Sequence, residues 1–196
     1  MRQTLPYKKS YGIITSKNIF SSCTFYSKIC VVIFMYDVLN VSRYVINYSN
    51  IKKYGVSNLK LQKLLYFIQA YFLIVNKETC FKEDIEAWDF GPVVPAAYHE
   101  YRLFGSSNIP SIKSYTVIEK NYNDIFQSKI KKIEFDETCI SKNDRKLIEE
   151  VVDKFSDYSA ADLVRMTHVQ TPWMSAHGRG RNAIITIEAI RSYFDA

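Results

Sequence analysis

Three histidines are the side chains of this 196-residue chain best suited to acid–base work, and their surroundings argue against it. His99 stands beside Glu100 in a helical stretch, but no second histidine follows to complete the zinc-binding pattern H-E-x-x-H. His168 closes another helical stretch, where a favourable interaction with the helix C-terminus accounts for it. No serine or cysteine is marked as a nucleophile for it to activate. His177 lies among glycine and arginine and is expected to be solvated. Gly178-Arg179-Gly180-Arg181 could meet a phosphate, yet it lacks the preceding strand and the Lys-Ser/Thr of a phosphate loop. Glu83-Asp84-Glu86 and Glu149-Glu150-Asp153 are spaced as solvated charge runs. Cys23, Cys30, Cys80 and Cys139 show neither C-x-x-C nor metal-ligand spacing, so reduced thiols are expected. The chain reads as a non-enzyme, with no catalytic, cofactor or metal site.

Polar residues inside an apolar helix stand out more. In SNLKLQKLLYFIQAYFL (57–73), Leu61, Leu64, Leu65, Ile68 and Phe72 recur at helical spacing as a core stripe. Lys60, Gln62, Lys63, Tyr66 and Gln69 share that helix, and Gln62, Tyr66 and Gln69 form a face of their own. Two readings of this face stand. Gln62 and Gln69 can satisfy backbone groups in the corner formed by Trp88, Gly91, Pro92 and Pro95. Alternatively, they join Tyr66 and Tyr98 in a partner-facing patch. Trp88 anchors the corner in the core or on a partner, and the rigid prolines beside it favour a fixed scaffold.

The elements that must position these residues are mainly helical. Asp37 can cap a helix to about residue 50, and Ser57 or Asn58 a second ending near Asn76. Residues 79–90 read as extended or irregular, with Gly91-Pro92 as a turn. Pro95 suits the first turn of a third helix, which Gly105 stops. Tyr115–Glu119 and Lys132–Phe135 are candidate short strands. Ser141 with Asp144, and Ser159 with Asp162, are capping-box starts. Thr171-Pro172-Trp173 begins a short helix, 177–182 is a loop, and Thr186 caps a last helix, Ile187–Phe194. The expected fold is a mainly α, single compact helical domain with a small β element.

Charge is unevenly distributed. The net +6 includes Arg2, Lys8, Lys9, Lys17 and Lys28 in residues 1–34, which contain no acid. The remaining 21 basic side chains are balanced by 20 acids, so nothing in 35–196 suggests a phosphate-binding stripe, and nucleic acid is not an expected partner. The apolar run ICVVIFMY (29–36) is far short of the roughly 20 residues that span a bilayer, so no membrane role is expected. Residues 1–34 form an N-terminal extension with three readings: a buried strand or helix, a partner-binding tail, or sequence upstream of a start at Met35. The third is favoured because a well-formed helix start follows Met35 at once.

SNLKLQKLLYFIQAYFL (57–73) and IEAWDFGPVVPAAYHEYRLFG (85–105) together resemble the Panacea domain family, which includes SocA-like antitoxins and phage-associated proteins. The resemblance continues through SKNDRKLIEEVVDKFSDYSAADLVRMTH (141–168), TPW (171–173) and the last helix, covering Met35 to about Phe194. It implies a cytoplasmic antitoxin that neutralises a cognate toxin, encoded nearby, by protein–protein contact. In the SocA-like branch it further implies a proteolytic adaptor delivering the toxin to a Clp-type protease. The family pairs one domain with many toxins, so the resemblance implies partner choice in 106–140, with the N-terminal stretch as a further candidate. Lys60, Gln62, Lys63, Tyr66, Gln69, Trp88, Gly91, Pro92, Pro95, Tyr98, His168 and Trp173 are the motif or partner-binding candidates. The alternatives are a nucleic-acid-binding regulator using the basic tail and a small prophage-associated enzyme using His168 or His99.

Overall fold

Asp37 opens the first helix by accepting a hydrogen bond from the Leu39 N–H at 2.7 Å, while Glu83 accepts from the Val38 N–H at 3.2 Å. Both donors at the start of α1 (Val38–Lys52) are thereby satisfied. The computed structural model describes residues 35–119 and 129–195; the N-terminal extension 1–34, with Cys23, Cys30 and most of the apolar run, lies outside them. Lys53 and Gly55, both at positive φ, turn the chain toward α2 (Asn58–Val75), which Ser57 caps.

Helix α2 is the axis of the described fold. Helices α1, α3 (Pro95–Tyr101), α4 (Lys142–Lys154), α5 (Ala160–His168) and α7 (Ile187–Phe194) and strand β2 (Gly91–Val93) all pack against it. Burial therefore runs around most of its circumference instead of following one stripe, and it takes in Asn58, Lys60, Gln62, Lys63 and Gln69 along with the expected leucines.

Strands β1 (Glu86–Trp88) and β2 (Gly91–Val93) form a tight antiparallel hairpin in which Trp88 pairs with Gly91. This moves the expected turn. Gly91-Pro92 begins the second strand, and Asp89-Phe90 makes the two-residue connection. The glycine is needed for close approach: at φ +94, a Cβ there would lie 2.7 Å from Thr167 Oγ1 and 2.9 Å from Lys63 Cε. Ala87 and Ile185 donate backbone hydrogen bonds to Ala183 and Ile85, adding a third short stretch beside β1.

Helix α3 (Pro95–Tyr101) starts on proline and tightens into a 3-10 turn, Arg102–Phe104, before Gly105. Strands β3 (Ser114–Glu119) and β4 (Lys129–Glu134) pair antiparallel, the second starting three residues earlier than its sequence suggests. Four helices follow: α4 (Lys142–Lys154), α5 (Ala160–His168), α6 (Thr171–Gly178) and α7 (Ile187–Phe194). Ser159 and Asp162 bond each other's backbone as a reciprocal capping box. His177 and Gly178 end α6, so the expected loop starts two residues later. The architecture is mainly α with two small hairpins, and none of the described helices is long and apolar enough to cross a membrane.

Candidate partner-binding surface

The polar side chains of α2 are directed into the protein. Gln62 accepts from the Val94 N–H at 2.9 Å and donates to Asn58 Oδ1 at 3.0 Å; Asn58 in turn donates to the Tyr98 carbonyl at 3.1 Å. Lys63, wholly buried, donates from Nζ to the Pro92 carbonyl at 2.8 Å. Gln69 accepts from the Cys80 and Phe81 N–H groups and donates to the Phe81 carbonyl. Lys60 donates to the Ser156 carbonyl, and Tyr66 to Gln170 Oε1. Short irregular segments leave backbone groups unpaired, and long polar side chains on the adjacent helix complete them. This geometry fits the packing reading for Gln62. Gln69 serves the Cys80–Phe81 segment rather than the Trp-Pro corner, and Tyr66, fully buried, presents no surface.

Burial has an electrostatic consequence at Lys63. It lowers the ammonium pKa to about 7, because a charge in this apolar surrounding loses its hydration. The nearby His168 is also lowered, first by burial and then by the charges of Lys63 and His177, against a raising contribution from the Asp89 backbone. His168 stands in the last turn of α5, and this lowering works against the charged form that a helix C-terminus favours. Its ring stacks on Trp173 at 4.1 Å, and its buried Nε2 has no hydrogen-bond partner among the described residues. His177 stacks on the same indole at 4.6 Å, its Nε2 3.2 Å from Asp89 Oδ1, and its side chain stays 40% exposed. His99 is exposed.

The corner itself is only partly buried. Trp88 donates from Nε1 to Glu86 Oε2 at 2.7 Å, meets the Tyr98 ring edge-to-face at 4.8 Å, and accepts the Trp173 indole N–H on its carbonyl at 3.0 Å. Gly91 and Pro92 are buried against Lys63, while Pro95 sits at the start of α3. Sequence reasoning placed Trp88, Tyr98 and Trp173 separately; the fold brings them into one aromatic neighbourhood.

A second arrangement was missed altogether. Tyr36, Tyr44, Tyr48, Tyr54 and Tyr71 donate their phenols to carboxylates of α4: Asp144, Glu149, Asp153, Asp153 and Glu150 respectively. Glu150 and Asp153 are exposed, as a solvated run implies, and they accept these hydrogen bonds at the surface. Two of these phenols, Tyr44 and Tyr48, leave α1 one turn apart, and the helix they reach lies about a hundred residues away in sequence. Burial and these carboxylates raise the tyrosine pKa values, Tyr36 to about 12.

Large apolar groups face outward elsewhere. Phe90 is 69% exposed and Leu103 91%, and Ile118 and Ile130, paired across the second hairpin, are 64% and 77% exposed. That hairpin touches the helical body through Tyr115, whose ring lies 3.6 Å under the Arg43 guanidinium.

The family model described as Antitoxin SocA-like, Panacea domain matches residues 61–174. Over 54 residues the chain is 43% identical to the protein named Antitoxin SocA of Caulobacter vibrioides, a stretch covering 28% of this chain and 29% of that protein. No solved structure matches the chain significantly.

Proposed function

The chain belongs to the SocA-like, Panacea-domain antitoxin family, and from that premise we propose that it neutralises a protein toxin by direct contact. One observation carries the reading: the distinctive polar side chains are consumed inside the fold, while large apolar ones are held outward on short rigid elements. Gln62, Lys63, Tyr66 and Gln69 are inside; Phe90, Leu103, Ile118 and Ile130 are outside. Exposed apolar groups on a rigid frame suit protein–protein contact. The same features give an enzyme reading little support, because the Nε2 of His168 is buried.

The β3–β4 hairpin, within the 106–140 stretch, is the element we assign to toxin choice, with its exposed isoleucine pair as the contact. The Panacea domain occupies 35–196 in this reading, and the protein acts in the cytoplasm. It also delivers the toxin to a Clp-type protease, as the SocA-like resemblance implies. The test is co-expression with the protein encoded next to it. Growth rescue and a co-purifying complex are expected; a toxic neighbour that is neither bound nor neutralised removes the proposal. Delivery predicts that toxin half-life lengthens and rescue fails in a Clp-deficient host. Undiminished rescue there leaves occlusion alone.

A further inference from the structure

Beside the Trp-Pro corner the fold leaves a cleft of about 500 Å³. Trp88, Tyr98 and Leu59 line it, and Phe90 projects from the hairpin turn at its edge. Its volume lies within the roughly 300–1,000 Å³ typical of recognition pockets. Two cations line it as well: Arg102 on the 3-10 turn and Arg181 in the loop after α6. Both are exposed, and neither forms an ion pair among the described residues. The lining carboxylate, Asp89, is already beside His177.

Aromatic walls and two uncommitted guanidiniums therefore coincide in a globular part whose charges otherwise nearly balance. A larger groove of about 630 Å³, lined by Tyr71, Phe155, Tyr158 and Tyr193, lacks this asymmetry: its charged lining residues are one acid and one base, Glu150 and Lys154. We propose that the corner cleft receives a segment of the toxin partner carrying carboxylates next to a large apolar side chain. This assignment rests on the antitoxin reading. Each guanidinium can take a carboxylate in a two-pronged hydrogen bond, while the aromatic walls take the apolar group. The walls are pre-organised, since the Trp88 ring is tied to Glu86 and its carbonyl to Trp173. Little ordering entropy then remains to be lost on binding.

The test uses the full chain and its tryptophan fluorescence. The probes are a blocked hexapeptide with two acids flanking phenylalanine and leucine, and its counterpart with lysines in place of the acids. Saturable quenching by the acidic peptide alone is expected, weakened at least about tenfold in Arg102→Glu/Arg181→Glu and by raised salt. Both substitutions are on exposed side chains, and circular dichroism checks that the fold is kept. Failure of the acidic peptide to bind overturns the assignment. So does equal binding of the lysine peptide, of an acidic peptide lacking phenylalanine and leucine, or of a DNA oligonucleotide of equal charge. In cells, the double variant should lose neutralisation of the neighbouring gene product at wild-type abundance. Neutralisation left intact overturns the cleft and leaves the antitoxin reading standing. Acidic-peptide binding by a protein that neutralises no neighbour does the reverse.

Discussion

Helix α2 and strand β4 both mix lysine with apolar side chains, and the fold uses them in opposite ways. In α2, Lys60 and Lys63 are buried, each donating to a backbone carbonyl of a neighbouring segment. In β4, Lys129, Lys131 and Lys132 are exposed, and so is Ile130 between them. Helix α2 is enclosed by five helices and a strand, so even its polar residues must find partners inside. Among the described residues each strand of the second hairpin is paired only with the other, so even Ile118 and Ile130 face water. A lysine-rich apolar string is therefore neither surface nor core in itself. The number of neighbouring elements decides.

Substitutions can break this contrast, and the most damaging should fall in the α2 region. Gln69→Leu strands two N–H groups and a carbonyl in the interior and should cost about 3–5 kcal/mol by urea unfolding. Gly91→Ala should approach that loss, because a positive φ and contacts under 3 Å coincide. A loss below about 1 kcal/mol in both would show that the Cys80–Phe81 segment and the corner relax easily against α2.

Lys63 gives a pH-resolved version of the same test. Its folded pKa is lowered to about 7, so between that value and the unfolded value near 10.5 the unfolded chain binds more protons than the folded one. This group therefore contributes stability that increases as pH rises through that window, by at most about 1.4 kcal/mol per pH unit. Lys63→Met should remove this slope and compare most favourably with the parent below pH 7. Parallel stability curves for parent and variant from pH 6 to 10 would exclude a buried charge penalty.

The tyrosine row predicts the opposite slope at higher pH. Raised folded pKa values mean the folded protein keeps its phenolic protons after the unfolded chain has lost them. Stability is fully present below about pH 10 and is lost as pH rises toward 12 and beyond. Tyr36→Phe should reduce that alkaline loss and leave neutral-pH stability lower by about 1 kcal/mol, measured by denaturant titration at pH 7 and 11. An unchanged alkaline slope would place Tyr36 outside the α4 clasp.

The smallest effect on stability belongs to the hairpin. Ile118→Ser with Ile130→Ser should change unfolding by only about 0.5 kcal/mol, since both side chains are already wet. Yet it should abolish toxin neutralisation if the hairpin selects the partner. Full neutralisation by this variant would move partner choice elsewhere.

The sequence alone determined where most helices start, because capping is local chemistry. Asp37, Ser57, Ser141, Ser159 and Thr186 each accept from a backbone N–H two or three residues on, within reach of any reading of the chain. The two motif strings identified the family for the same reason: they are contiguous. Tertiary structure decided what those strings do. The hairpin turn is Asp89-Phe90, and Gly91 serves instead for close approach, since Lys63 and Thr167, remote in sequence, leave no room for a Cβ there. Glu149, Glu150 and Asp153 accept phenol hydrogen bonds because tyrosines about 80 to 105 residues earlier reach them. His168 is a packed ring because Trp173 stacks on it. Which polar residue is buried and which apolar one is exposed depends on how many elements surround it, and spacing along one helix carries no record of that number.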